Sequence, residues 1–229
     1  MDYQKNLPMP NISTSEIYNR RQLSFHSFNI HLLGVNDVWF YTYDELVARK
    51  GSDHVASILA NFFDTLEADV RELDIFCDSC CGQNKNYTIF RLLHYMVHVA
   101  NRYDSMTVTF LVRSHSYMEC DRDMSLMNQK SRCELADDRN KVFPEARERP
   151  SPYKVFQCTQ ELFSNYTRFL HDQHKPKCPV GIRDIRVSKV CKPPPLLYSR
   201  ASYLGLTSSA VICKPQPKAA RSRKKEGHS

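Results

Sequence analysis

The succession of apolar patterns along the chain predicts an α/β fold on a sheet of mixed strand directions. Two β-branched and aromatic runs open it, at residues 21–33 and 38–44, with Gly34-Val35-Asn36-Asp37 between them as a hairpin turn. Two shorter apolar runs, at 73–77 and 106–112, then alternate with helical stripes. Each of these shorter runs breaks into a polar loop, at 78–85 and 113–123, where sites gather in α/β sheets.

Taken in order, residues 1–20 read as an extended lead-in, because Pro8 and Pro10 restrict the backbone. After the hairpin, Val55, Ile58, Leu59, Phe62, Phe63 and Leu66 recur at helical spacing, with Ser52 or Asp53 as the expected N-cap. The strand Leu-Asp-Ile-Phe-Cys at 73–77 leads into Asp-Ser-Cys-Cys-Gly-Gln-Asn-Lys. A second helix is predicted over 86–102 from Ile89, Phe90, Leu93, Met96, Val97 and Ala100. The strand 106–112 and the polar segment behind it lead to a further short helix. Arg149-Pro150-Ser151-Pro152 reads as a boundary, and a helix is expected over 160–173. The expected organisation is therefore a main domain over 1–149, a small α+β appendage over 150–213 and a basic tail over 214–229.

With 41% hydrophobic and 11% aromatic residues, the 229-residue chain has the composition of a folded globule. It contains no apolar run of the roughly 18 residues a membrane span needs. The opening MDYQKNLPMP has no secretory h-region, which points to the nucleus or cytoplasm. Nine scattered cysteines fit free thiols in a reducing compartment better than a disulfide framework. Of the net charge of +7, residues 214–229 hold +5 (six Lys and Arg against one Glu), leaving +2 for the rest. Lys218, Arg221, Arg223, Lys224 and Lys225 in that tail are the candidate nucleic-acid contacts.

Asp78 stands just past one strand, and Asp121 and Asp123 past the next. If the two strands are neighbours, carboxylates some forty residues apart can share a hard divalent cation, which favours oxygen ligands. The alternative is that Asp78 caps a turn and Asp121 is a surface charge. Cys77-x-x-Cys80 is half of a zinc spacing without a matching second half, so zinc is not expected, and Cys77 reads as a core residue. A Cys–His hydrolase with Cys80 or Cys81 and His115 lacks an orienting third residue. His94 and His98, one turn apart, read as a solvent-facing pair.

The phrases FCDSCCGQNKN, HYMVH and SHSYMECDRDMSLMNQK resemble a transposon-associated, functionally uncharacterised animal family with a ribonuclease-H-like domain. NLPMPNI, YNRRQLSFHSFNIH, YDELVARKGSD and RPSPYKV resemble the same family, so the likeness runs from Asp2 to about Ser209. The resemblance implies a ribonuclease-H-like mixed sheet flanked by helices. It also implies an acidic triad of Asp2, Asp78 and Asp121, with His115 as a phosphate contact or proton carrier. Gln83 and Asn84 would shape the site. Such a triad holds Mg²⁺ or Mn²⁺ and cuts or joins DNA. The chain departs from the pattern in two places. Only Met1 precedes Asp2, so the first strand is expected to be missing, and Ser114 replaces a glycine. These departures suggest an N-terminally truncated element-derived product. The resulting expectation is metal-dependent DNA chemistry; the alternative is a non-catalytic nucleic-acid or chromatin-binding remnant, or an inert fragment.

Overall fold

The computed structural model describes residues 1–4, 7–9, 23–112, 118–130 and 136–215. Its fold is mixed α/β, with two mixed five-stranded sheets flanked by helices. The predicted hairpin is formed by β3 (Leu23–Leu32) and β4 (Asp37–Asp44), antiparallel with Leu32 opposite Asp37. Asn36 makes the turn by adopting φ 56, a left-handed conformation that asparagine tolerates. β1 (Asp2–Tyr3) and β2 (Leu7–Met9) lie along the other edge of β3, both antiparallel to it.

The second sheet starts from β5 (Glu72–Cys77) and β6 (Ser105–Phe110), which pair in parallel as the alternation of strand and helix predicts. Between them runs α2 (Tyr87–His98), whose N-cap Asn86 accepts a hydrogen bond from the Ile89 N–H at 3.1 Å. The expected helix to residue 102 stops at His98. The N–H groups of Val99 and Ala100 both turn onto the Tyr95 carbonyl, and Asn101 adopts φ 56. α1 (Ser52–Thr65) carries the predicted apolar stripe. Its N-cap is Gly51 rather than Ser52 or Asp53, because the Asp53 carboxylate accepts from the Thr167 N–H at 2.7 Å and hydroxyl at 2.8 Å.

Residues 150–213 are woven into both sheets. β7 (Lys154–Gln157) adds in parallel to β4, while β8 (Val187–Cys191), β9 (Leu197–Arg200) and β10 (Thr207–Ala210) extend the second sheet from β6. The predicted helix over 160–173 is instead a 3-10 turn at Gln160–Leu162 and α5 (Tyr166–His171). The break falls where Asn165 caps the Arg168 N–H at 2.8 Å.

The two faces of β3 and β4 explain the layering. Phe28, Ile30, Tyr41 and Tyr43 face α1 and α2, in a core that also takes Leu170, Val190 and Leu197 from the C-terminal segment. Phe25, Val38 and Phe40 face α3 (Glu119–Lys130) and α4 (Ala136–Glu145) through Cys120, Met124, Met127 and Phe143. Each such side chain contributes roughly 1.5–3 kcal/mol on full burial. The consequence for the site is that α3 lies against the same face of the first sheet as Asn29. The predicted single sheet is parted into two between β3 and β5, since β1 pairs with β3 and belongs to the first sheet.

Candidate functional site

The loop after β5 is built around one carbonyl. Cys80 O accepts from the N–H groups of Gln83, Asn84 and Lys85 at 3.2, 2.9 and 2.9 Å, which winds the loop into a tight turn. That turn buries Asn84 and Lys85. Asn84 donates its amide to Asp78 Oδ1 at 2.7 Å, and the Cys80 N–H reaches the same oxygen at 3.2 Å. Lys85 Nζ turns away and donates to the Arg183 carbonyl at 2.6 Å. Of the two loop residues expected to shape the site, Asn84 acts through its side chain. Gln83 contributes its carbonyl, which holds the Asn86 amide at 2.9 Å.

Asp2 lies opposite Asn29 across the β1–β3 pair, and directly opposed residues project to the same face. The Met1 ammonium donates to Phe76 O at 2.7 Å, two residues before Asp78, and so ties β1 to the end of β5. The Cys120 thiol reaches the Asn29 carbonyl at 3.8 Å, bringing the first turn of α3 to the same place. There Asp121 Oδ2 accepts from the Met118 N–H at 2.9 Å. Asp2, Asp78 and Asp121 thus converge from β1, the β5 loop and α3. Burial first, then the negative charges of Asp78 and Asp121, push the Asp2 carboxyl up to about 7, against the opposing pull of the Tyr3 N–H and the Met1 ammonium.

Two further residues of this locality are invisible to motif reasoning. Lys50 donates to the Gln4 carbonyl at 2.6 Å with its ammonium over the Tyr3 ring. Burial lowers its pKa to about 8, while Asp2 and Cys80 pull the other way. Asn29 is fully buried, and neither atom of its amide has a partner among the described residues. Both sit far from the acidic residues in sequence, in segments whose patterns signal only a loop and a strand.

Carboxylate oxygens are the ligand type that hard divalent cations take, and Asp2 among them is raised by burial. The Asn29 amide and Asn84 Oδ1 are buried polar atoms without a hydrogen-bond partner among the described residues. Against this, no group of three or more His, Cys, Asp or Glu among the described residues is arranged to hold a metal ion. One oxygen of each carboxylate is instead engaged by a local N–H or amide.

Other sequence expectations resolve differently. Asp123 is buried in a network of its own, with His31 Nδ1 at 2.7 Å and the Tyr153 hydroxyl at 3.1 Å, and is no partner of Asp78. Cys77 is a core residue as expected, with its thiol pushed up to about 12 by burial. Burial and Asp78 also raise the Cys80 thiol, which opposes its use as a nucleophile. His94 is buried rather than solvent-facing, because residues 170–174 cover it. Its Nδ1 lies 3.1 Å from Nε2 of the buried His174. The cysteines at 77, 80, 81, 120, 158, 178, 191 and 213 are free. His115 and the basic residues Lys218, Arg221, Arg223, Lys224 and Lys225 lie outside the described residues.

No described helix is long and apolar enough to cross a membrane. A family model described as a domain of unknown function, DUF7869, matches residues 20–174, a span that includes Asp78, Asn84 and Asp121 but not Asp2. No curated protein and no solved structure gives a significant match to the chain.

Proposed function

We propose that this chain, which belongs to the DUF7869 family, is a ribonuclease-H-like protein derived from a transposable element. On this reading its Asp2, Asp78 and Asp121 form a divalent-cation site that acts, or once acted, on DNA phosphodiesters. The observation that carries the reading is the meeting of the three carboxylates from β1, the β5 loop and α3. It is felt at Asp2 as a carboxyl raised by burial and by the charges of Asp78 and Asp121. Carboxylates are brought together at such a cost where a cation is to neutralise them.

Asp78 would be the best-oriented ligand, since Asn84 and the Cys80 N–H both fix its Oδ1. Asp121 is held by the Met118 N–H at the start of α3, and Asp2 by its own strand. Bound Mg²⁺ or Mn²⁺ would supply activation of water or a DNA 3′-hydroxyl and stabilisation of the leaving oxygen. Calorimetric titration with Mn²⁺ tests the reading. Binding to the wild type that is abolished in Asp78→Asn and Asp121→Asn, with metal-dependent nicking of plasmid DNA following the same pattern, is the expected result. Absence of divalent-cation binding would sink it.

A second reading, a non-catalytic nucleic-acid or chromatin-binding remnant in the nucleus, is favoured by one observation: no group of three or more His, Cys, Asp or Glu among the described residues is in metal-holding order. The basic tail would then carry the affinity. DNA binding that falls steeply with salt, and weakens on deletion of residues 214–229 without any nicking, is its signature.

A further inference from the structure

We infer that His94 and His98 form a two-imidazole site for a borderline divalent transition-metal ion such as Ni²⁺, Cu²⁺ or Zn²⁺. The site is separate from the acidic cluster and stands whether or not that cluster binds a cation. Both residues lie in the second half of α2, at the i and i+4 spacing that sets two side chains one above the other. Their ring centroids are 4.6 Å apart. The Nε2 atom of each is buried and has no hydrogen-bond partner among the described residues.

The hydrogen bonds behind His94 fix which of its nitrogens carries the proton. His174 Nδ1 lies 2.9 Å from the Leu170 carbonyl, which can only accept, so Nδ1 is the protonated nitrogen of that ring. A neutral His174 then presents a lone pair at Nε2. The 3.1 Å contact between that atom and His94 Nδ1 is satisfied only if His94 donates. With its proton on Nδ1, a neutral His94 carries a bare lone pair on Nε2, in a side chain that is only 3% exposed. A carbonyl-anchored partner that holds an imidazole in one tautomer is the usual backing of a metal-ligating histidine.

Both imidazoles are kept in the form that a metal ion needs. Burial is the main influence lowering His94 and His98, so neither ring has to shed a proton near neutral pH. The Pro195 carbonyl favours positive charge at His94. Lys192 opposes it at His98, but its ammonium also donates to Asp104 Oδ1 at 3.0 Å, which offsets part of that charge. No third His, Cys, Asp or Glu among the described residues completes a ligand set, so the remaining positions are left to water or a carbonyl oxygen. Imidazole suits nickel, copper and zinc, whereas Mg²⁺ and Mn²⁺ favour carboxylate and water.

Titration of the full chain with Ni²⁺, followed through its imidazole NMR signals, tests the site. The signals of His94 and His98 are expected to broaden before those of the exposed His171, and Mg²⁺ is expected to leave them unmoved. Ni²⁺ at a hundredfold excess over its Kd is expected to raise Tm by roughly 5–10 °C. His98→Gln, at a partly exposed position, is expected to weaken Ni²⁺ binding at least tenfold, and His171→Gln to leave it unchanged. Should His98→Gln fail to fold, the order of broadening in the wild type decides alone. Four results overturn the proposal. Broadening of His171 together with His94 and His98 would mark adventitious binding, as would unchanged affinity in His98→Gln. A thiolate-to-nickel charge-transfer band would assign the ion to the cysteines. Absence of Ni²⁺ binding would leave the two Nε2 atoms to a bridging water.

Discussion

The Asn84 amide holds Asp78 Oδ1 at 2.7 Å, a hydrogen bond across six residues of loop that fixes the carboxylate at the mouth of β5. Asn84 is fully buried and the loop winds over it through the Cys80 carbonyl. Replacement with alanine removes the donor and leaves a part-buried carboxylate oxygen with only the Cys80 N–H. A cost of roughly 1–3 kcal/mol is expected from urea denaturation. Mn²⁺ affinity is expected to fall roughly tenfold or more in Asn84→Ala, since an orienting partner of a ligand is worth that much. Unchanged affinity alongside the lost stability would show that Asn84 serves the loop alone.

Asp2 gives the site a pH signature. Its carboxyl is raised to about 7 from an ordinary 3.8, chiefly by burial and then by Asp78. The folded state therefore disfavours the ionised form. Stability is highest where Asp2 is protonated in both states, below the ordinary value, and is lost as pH rises toward 7. Asp2→Asn abolishes that loss, so the variant is expected to gain on the wild type progressively between pH 4 and 7. The gain should reach roughly 2 kcal/mol once partial exposure is discounted. Saturating Mn²⁺ is expected to narrow the gap at pH 7. A difference between the two proteins that stays flat across this range would refute the assignment.

How much of this was legible in the sequence follows from what each signal depends on. The hairpin, α1, and the strands ending at Asp78 rest on local periodicity, and they stand within a few residues of the expected bounds. The limits of α2 and α5 were set by single asparagines, Asn101 in a left-handed turn and Asn165 as a cap, against a hydrophobic stripe that runs on past both. The integration of residues 150–213 into both sheets depends on edge pairing, for which a four-residue strand such as Lys154–Gln157 carries little periodicity. At the site, Asp78 and Asp121 were legible from their places just past two successive strands and Asp2 only from a family resemblance, whereas Lys50 and Asn29 join them only through the register of β1 against β3. Asp123, two residues from Asp121, faces the other way because two helical residues turn a side chain by about 200° to a different neighbour.

His94 and His174 form a buried imidazole pair whose charge the fold resists. Burial, then the nearby His174 and His98, lowers His94 to about 4, and burial lowers His174 as well. Both groups are favoured neutral in the folded state, so the stability they allow is complete above the ordinary histidine value of 6.5 and is lost as pH falls toward 4. The wild type is expected to lose up to about 3 kcal/mol over that interval from His94. His94→Leu cannot charge and is expected to flatten the acid limb, at a neutral-pH cost of roughly 1–3 kcal/mol for the His174 nitrogen left without its partner. An acid limb of the same depth in the variant would place the sensitivity elsewhere.

Asp123 offers the sharpest separation of structure from chemistry, because it lies in the same first turns of α3 as Asp121 yet answers to different partners. Its oxygens meet His31 Nδ1 at 2.7 Å and the Tyr153 hydroxyl at 3.1 Å, with Arg147 at 4.0 Å, and all of these side chains are largely buried. Removing the carboxylate leaves the buried His31 Nδ1 and Tyr153 hydroxyl without their partner and the largely buried Arg147 without its nearby carboxylate, so Asp123→Ala is expected to cost roughly 2–4 kcal/mol. Asp123→Asn keeps an acceptor for Tyr153 and is expected to cost less, roughly 1–2 kcal/mol. Neither asparagine nor wild type at this position should differ in Mn²⁺ binding, whereas Asp121→Asn is expected to lose binding at little cost in stability. If Asp123→Asn abolishes cation binding while Asp121→Asn retains it, the third ligand is Asp123, and α3 must turn by about 200° of helical phase between two residues, a rearrangement that would also break the His31 pair and show as a loss of its imidazole proton signal.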